Sequence, residues 1–281
     1  TITLNRDNFV AAAAGPRQNG SGSVAIEFIN SLRTSVGTAL AISAVSGASS
    51  NNKIYGNTIQ NCHFGITLSG FAAPSPYTLA DQNNEIGGNT VGTGNNIVNF
   101  GGGATSTNAC GAMLINNQWS FSIQRNLVNN NNGTGLNHGG SNRGIWLFNS
   151  SAGASATIKH NRISIAAGTN TGSITWCLDL EMATTGANGN TINIDSNEFI
   201  NCTNTSASTV AFTAIWLNTA ATNVNVRGNR IYGFTYLGTG TSQCILSQLA
   251  CGNLNISNNI IDSVTLGGTT GSGTHHNIGV T

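Results

Sequence analysis

Charge is scarce in this chain. Only 7% of its 281 residues are Asp, Glu, Lys or Arg, and the formal net charge is +1, whereas an average soluble protein carries roughly 25% charged residues. Such a balance supplies no basic field for nucleic acid or an anionic membrane, so neither is expected as a partner. Aromatic residues are also few, at 6%. Low charge with few aromatics would suit disorder, but Ile, Val and Leu recur at regular places and argue for a packed core. Long apolar runs are missing: Phe9 to Ala14 is the longest, far below the roughly 20 residues that span a bilayer, so no membrane insertion is expected. The six cysteines (Cys62, Cys110, Cys177, Cys202, Cys244, Cys251) show no CxxC or Cys/His zinc spacing. No metal and no cofactor is expected, and most of the six read as buried free thiols acting as small apolar residues.

What the chain has in abundance is Gly, Asn, Ser and Thr, together with a recurring motif: apolar, two variable residues, Asn, one variable residue, apolar. Ile158-Lys-His-Asn161-Arg-Ile163 is one copy; the others place their Asn at Asn57, Asn89, Asn126, Asn197, Asn229 and Asn259, 30 to 37 residues apart. Self-similarity at this period is the signature of a solenoid. A second motif of alternating character precedes each anchor, as in Gly65-Ile-Thr-Leu68, Gly111-Ala-Met-Leu114, Gly144-Ile-Trp-Leu147, Cys177-Leu-Asp-Leu180, Ala214-Ile-Trp-Leu217 and Gln243-Cys-Ile-Leu246. Period-two alternation makes it a half-buried strand. Each coil then holds three short strands: this one, one ending before Asn and one starting after it. Asn tolerates the left-handed backbone region needed for so sharp a bend, and stacked amides can bond one another as a ladder.

Identical pieces stacked in one chain direction give parallel sheets. The expected fold is therefore all-β, a right-handed single-stranded parallel β-helix of about eight coils with three short parallel sheets. Residues 39–281 carry it, beginning with a strand at Ala39–Ser43. Residues 1–38 are an irregular N-terminal part: Ile2 to Val10 resembles a degenerate first coil, and Val24 to Leu32 fits either a strand or a capping helix. The absence of an initiator Met and an end at Thr281 inside an apparent strand imply a processed or excised piece, with further coils beyond residue 281 in the parent protein.

The "I-x-x-N-x-I … G-I-x-L" grammar, from about Ala39 to Thr281, resembles the pectin-lyase-like repeat family. Its Asn-, Gly-, Ser- and Thr-rich character is similar to modules of very large secreted bacterial surface proteins. That resemblance implies the β-helical fold but not one activity, because the family includes lyases, hydrolases, phage tailspikes and inert stalks.

Reading outward positions across coils sorts the few charges. Lys159, Asp195 and Arg227 share one column, and Arg162, Glu198 and Arg230 another; alternating sign along a stack makes these structural. The Gly-Ile-x-Leu strand differs. Its outward column is expected to run Thr67, Met113, Trp146, Asp179, Trp216, Ile245, with Ser69, Ile115, Phe148, Glu181, Asn218 and Ser247 two residues on. Asp179 and Glu181 would share a face about 7 Å apart along the strand, flanked by Trp146, Phe148 and Trp216, with Arg143 the only nearby base. Three readings follow. Long corner loops could bury the aromatics as a satellite core. The face could bind a polysaccharide or surface glycan through Trp146, Phe148, Trp216, Asn218 and Arg143. Or Asp179 and Glu181 could act as the acid and base of an inverting hydrolase, whose carboxyls stand roughly 6.5 to 9.5 Å apart. A lyase fits less well for want of basic residues, and the columns lack the flat Thr rows of an ice-binding face.

The histidines (His63, His138, His160, His275, His276) show no third ligand and are expected to be satisfied or solvent-facing. The function expected is a non-catalytic rigid module of a large secreted or cell-surface bacterial protein, serving adhesion, display or glycan binding. The alternative is a carbohydrate-active enzyme, a polysaccharide hydrolase before a lyase. Further domains of the same chain are the other expected partners.

Overall fold

A computed structural model describes residues 1–4, 23–32, 35–102, 108–131, 137–168, 170–183, 189–267 and 274–280. Within them the chain winds as an all-β parallel solenoid of about six turns, fewer than the repeat count suggests, with three main parallel sheets and one short one. Helical structure among the described residues is of the 3-10 kind, with a turn at Val45–Gly47. The leading sheet has eight strands: Val24–Ile29, Phe64–Ser69, Cys110–Asn116, Asn142–Phe148, Thr175–Glu181, Phe212–Leu217, Ser242–Ser247 and His275–Val280. The approach sheet, before each anchor, has seven, from Lys53–Ile54 to Asn253–Ser257. The exit sheet, after each anchor, has eight, from Ile2–Thr3 to Ile260–Asp262. A short sheet that the motifs do not announce joins Thr203–Asn204, Thr235–Tyr236 and Thr265–Leu266.

The stack starts earlier than residue 39. Val24–Ile29 is a strand, not a capping helix, and pairs in parallel with Phe64–Ser69, Ile26 opposite Ile66. Ala39–Ser43 does not enter that sheet; Ser35–Ala39 instead turns back antiparallel on Ser31–Leu32. Of the degenerate motif, Ile2–Thr3 pairs with Ile59 and Gln60, while residues 5–10 lie outside the described residues, as does Thr281.

Inward residues form one core along the axis: Ile66, Met113, Ile145, Leu178 and Ile215 from the leading sheet meet Ile123, Ile158, Ile194 and Val226 from the approach sheet. None of the six cysteines is in a disulfide, and all but Cys251 are buried. Burial pushes the thiol of Cys177 well up, and that of Cys244 up to about 12, as expected of thiols that pack as apolar groups.

The anchor asparagines close the corner between approach and exit sheets. Asn161 N–H and Nδ2 both donate to Asn197 Oδ1 at 3.0 Å, and Nδ2 donates again to Ile123 O at 2.9 Å. Its own Oδ1 accepts from Asn126 N–H at 3.0 Å and Nδ2 at 2.9 Å. Both amide hydrogens and both lone pairs are thus used, which is what a buried carboxamide requires. The carbonyl it caps belongs to the apolar residue three before the previous anchor, so the spacing of the motif is the spacing of this bond. The bend itself is made elsewhere: the left-handed residue is the one before Asn, Arg125, His160, Ser196, Gly228 or Asn258, at φ of 55 to 62°. Asn is needed for its amide rather than for its backbone freedom.

Asn89 is not in the ladder. Its slot belongs to Asn95, which accepts from Asn57 Nδ2 at 3.0 Å and donates to Asn126 Oδ1 at 2.9 Å; the exit strand is Asn96–Val98. Gly87 turns out of the approach strand at φ 68°. Gly88 N–H then bonds Thr93 Oγ1, and that hydroxyl donates to Thr90 O, closing the insertion on itself and leaving Val91 89% exposed. Removing the Asn161 amide orphans the N–H and Nδ2 of Asn126 and the carbonyl of Ile123, each worth about 1–3 kcal/mol when buried. Asn161→Ala should therefore cost about 3 kcal/mol or more in urea unfolding, and Asn89→Ala less than about 0.5 kcal/mol.

Candidate functional site

The outer face of the leading sheet is built from three columns, and pairing register fixes their members. Leu114 stands beside Trp146 and Met113 beside Ile145, so Leu114 faces out and Met113 in. Likewise Leu246 stands beside Trp216 and Ile245 beside Ile215. The expected columns were one residue out at both strands, including Ile115 and Ser247, whose outward counterparts are Asn116 beside Phe148 and, past the strand end, Gln248 at Trp216. Runs such as Met-Leu-Ile carry no alternation, so only their neighbours set the phase.

The central column runs Thr67, Leu114, Trp146, Asp179, Trp216, Leu246, Gly279. Three residues earlier in each strand a second column runs Arg143, Trp176, Thr213, Gln243, His276. Asp179 therefore has Trp146 and Trp216 as direct neighbours, but Arg143 reaches it diagonally, its Nε bonding Asp179 Oδ2. Arg143, the nearby base in the sequence, engages Asp179 directly because a long side chain crosses a diagonal between columns. The guanidinium also lies over the Trp146 ring, 3.9 Å from its centroid, and 5.1 Å from that of Trp176, in cation–π range.

The acids are not presented as an accessible pair. Asp179 is 0% exposed, and burial pushes its carboxyl upward, against the pull of Arg143 and with a further push from Glu181. Glu181 is half-buried and accepts Trp146 Nε1–H at 2.6 Å. Trp146, Trp176 and Trp216 are each under 9% exposed. Trp146 packs with Phe64, Leu114 and the half-buried Phe148 in a satellite cluster, and Trp176 and Trp216 stack at 3.8 Å between centroids. Trp216 Nε1 donates to Gln248 Oε1 at 2.9 Å. Asn218, at the end of its strand, is half-buried and bonds Leu180 O through its backbone N–H. The structure therefore brings Arg143, Trp146, Phe148, Asp179 and Glu181 together but closes them on one another, so the open sugar platform expected over the acids is not there. Trp176 is the residue that column reading missed: it lies three residues before Asp179, an offset that breaks the period of two, and the alternation instead leads to the core residue Cys177.

The charge columns of the other sheets are partly paired. Arg227 holds Asp195 with two bonds at 3.1 and 3.0 Å, and Arg230 reaches Asp262 at 3.5 Å; Lys159 lies in register with Asp195, and Arg162 with Glu198.

Two of the histidines do more than fill turns. His138 Nε2–H donates to Asn108 O at 2.6 Å while its Nδ1 accepts Gly102 N–H at 3.0 Å, and His63 Nε2–H donates to Ala109 O at 2.7 Å. Their rings meet edge to face at 5.3 Å. Both are neutral imidazoles, burial holding His63 below its usual range and burial with the neighbouring His63 holding His138 down at about 4.

Among the described residues no group of three or more His, Cys, Asp or Glu could hold a metal ion, and no helix is long and apolar enough to cross a membrane. Comparison with protein-family models, with curated proteins and with solved structures finds no match for this chain.

Breaking a buried ion pair costs more than deleting it whole. Arg143→Met should lower unfolding stability by about 3–5 kcal/mol, and Arg143→Met with Asp179→Leu should restore most of it, read by urea unfolding at pH 7. His138 has a folded pKa below its unfolded value, so its contribution is complete above pH 6.5 and is lost as pH falls towards 4. Wild type should lose about 3 kcal/mol across that window through this group, and His138→Gln should flatten the limb.

Proposed function

We propose that this chain is a rigid, non-catalytic β-solenoid module of a larger secreted or surface-displayed bacterial protein, serving adhesion or display. The observation that carries the reading is the state of its one acidic pair. A general acid or base must come within hydrogen-bond reach of the proton it transfers, and Asp179 has no exposed surface and is engaged by Arg143. The hydrolase alternative, which needs Asp179 and Glu181 free at the surface, loses its support there.

Rigidity is supported by the anchor ladder running from Asn57 to Asn259 without a gap. About six turns at roughly 4.8 Å each make a rod about 30 Å long. The coil grammar resembles that of the pectin-lyase-like family and of modules in large secreted bacterial surface proteins, and membership of that family is part of this proposal. An outer surface with very few charges, on which Asp195 and Asp262 pair with Arg227 and Arg230, suits a spacer.

Incubated with a panel of neutral and uronate polysaccharides, the chain should release no reducing ends above buffer, and Asp179→Asn should behave identically. Sugar release that the substitution abolishes would overturn the reading.

A further inference from the structure

The central outward column loses bulk in one direction. From Trp216 it steps to Leu246 and then to Gly279, while the adjacent column steps from Trp176 to Thr213 and Gln243. Stacked indoles followed by Leu246 and Gly279 in one column and by the small Thr213 in the other leave a hollow on the outer face, about 620 Å³ in volume and within the size range of small-ligand sites. The Trp176–Trp216 pair forms its wall, Thr213, Gln243, Leu246 and Gly279 its floor, and Gln248 and His276 stand at its edge. It lies beyond the acids, on the opposite side of Trp216 from Asp179.

We propose that this hollow binds a neutral hexose glycan. The lining pairs apolar surface, from the indoles and Leu246, with amides and hydroxyls that both donate and accept. A pyranose ring asks for that combination: its C–H faces need apolar contact and its hydroxyls need partners of either polarity. None of the thirteen lining residues is Asp, Glu, Lys or Arg, so a uronate entering it would lose water around its carboxylate with no cation in return. Gln243 is 4% exposed and receives Thr213 Oγ1–H at 3.4 Å, and Gln248 is held by Trp216 Nε1–H. The two amide planes are therefore fixed before any ligand arrives, which lowers the ordering cost of binding.

The inference rests on the proposed non-catalytic role only in that the bound glycan is left intact. Filling the hollow tests it. A Cβ at residue 279 would stand 3.2 Å from Leu246 Cδ1, the end of a flexible side chain, so Gly279→Leu continues the column without a backbone clash. On an array of neutral hexose and uronate oligosaccharides, the purified chain should retain neutral members. The best of these, titrated by calorimetry, should bind at least tenfold more weakly to Gly279→Leu, whose unfolding midpoint stays at the wild-type value. Gln248→Ala, at an exposed position, should weaken it about fivefold and serves if Gly279→Leu is poorly folded. No retention, retention of uronates alone, or unchanged affinity in both variants would each overturn the assignment. Cleavage of a neutral glycan bound in this hollow would leave the site standing and overturn the non-catalytic reading instead.

Discussion

One carboxamide per coil sets the geometry on which everything else in this molecule depends. A buried Asn side chain with two donors and two acceptor sites can be satisfied only if the coil before and the coil after stand at one spacing and in one phase. Each anchor from Asn95 to Asn229 meets that condition by donating forward to the next Asn Oδ1 and backward to the carbonyl of the preceding coil, as Asn197 does to Asn229 and Ile158. The apolar core is permissive by comparison, since Ile, Leu, Val and Met exchange along it at modest cost. Fixing the corner fixes the columns, and the columns decide which side chains become neighbours.

The outer face of the leading sheet shows what that constraint does with chemistry. Strands about 4.8 Å apart bring bulky rings to stacking distance, and Trp176 and Trp216 stack at 3.8 Å. They also place Asp179 between two tryptophans, where its charge is tolerable only because Arg143 reaches it. Buried ion pairs contribute little net stability but penalise any arrangement that separates them. This one helps define a single packing of the face, with the guanidinium lodged between indoles and Glu181 held by Trp146. The same residues that suggest a sugar cleft when read as a line thus form a closed cluster when folded.

Much of the fold was legible in the sequence because the repeat is local: Ile-x-x-Asn names a bond between adjacent coils, and six of the seven anchors fall where the motif puts them. Asn89 misled because Ile86-Gly-Gly-Asn89-Thr-Val91 matches the motif fully, while the true anchor Asn95 keeps only its second half, Asn-x-Ile97. The outer face was less legible. At Cys110–Asn116 and Ser242–Ser247 consecutive apolar residues hide the phase, which only pairing with Trp146 and Trp216 decides. Arg143 was visible, but its partner lies one coil on and three residues later in that strand, a diagonal that neither column nor strand displays. The reach of the leading sheet back to Val24–Ile29 was obscured by Ala39–Ser43, which carries the alternation of a leading strand but does not pair there.

The self-closed loop between Ile86 and Asn95 shows that the corner can lengthen without disturbing the stack. Six additional residues leave at Gly87 and return before Asn95, with the strands on either side still in register with their neighbours. Loop closure grows only logarithmically dearer with length, about 0.6 kcal/mol per doubling. A solenoid of this kind therefore separates two kinds of inheritance. Its strands can change only in concert with their neighbours, whereas its corners can acquire or discard whole segments one coil at a time, so diversification of the surface can proceed while the rod beneath it stays the same.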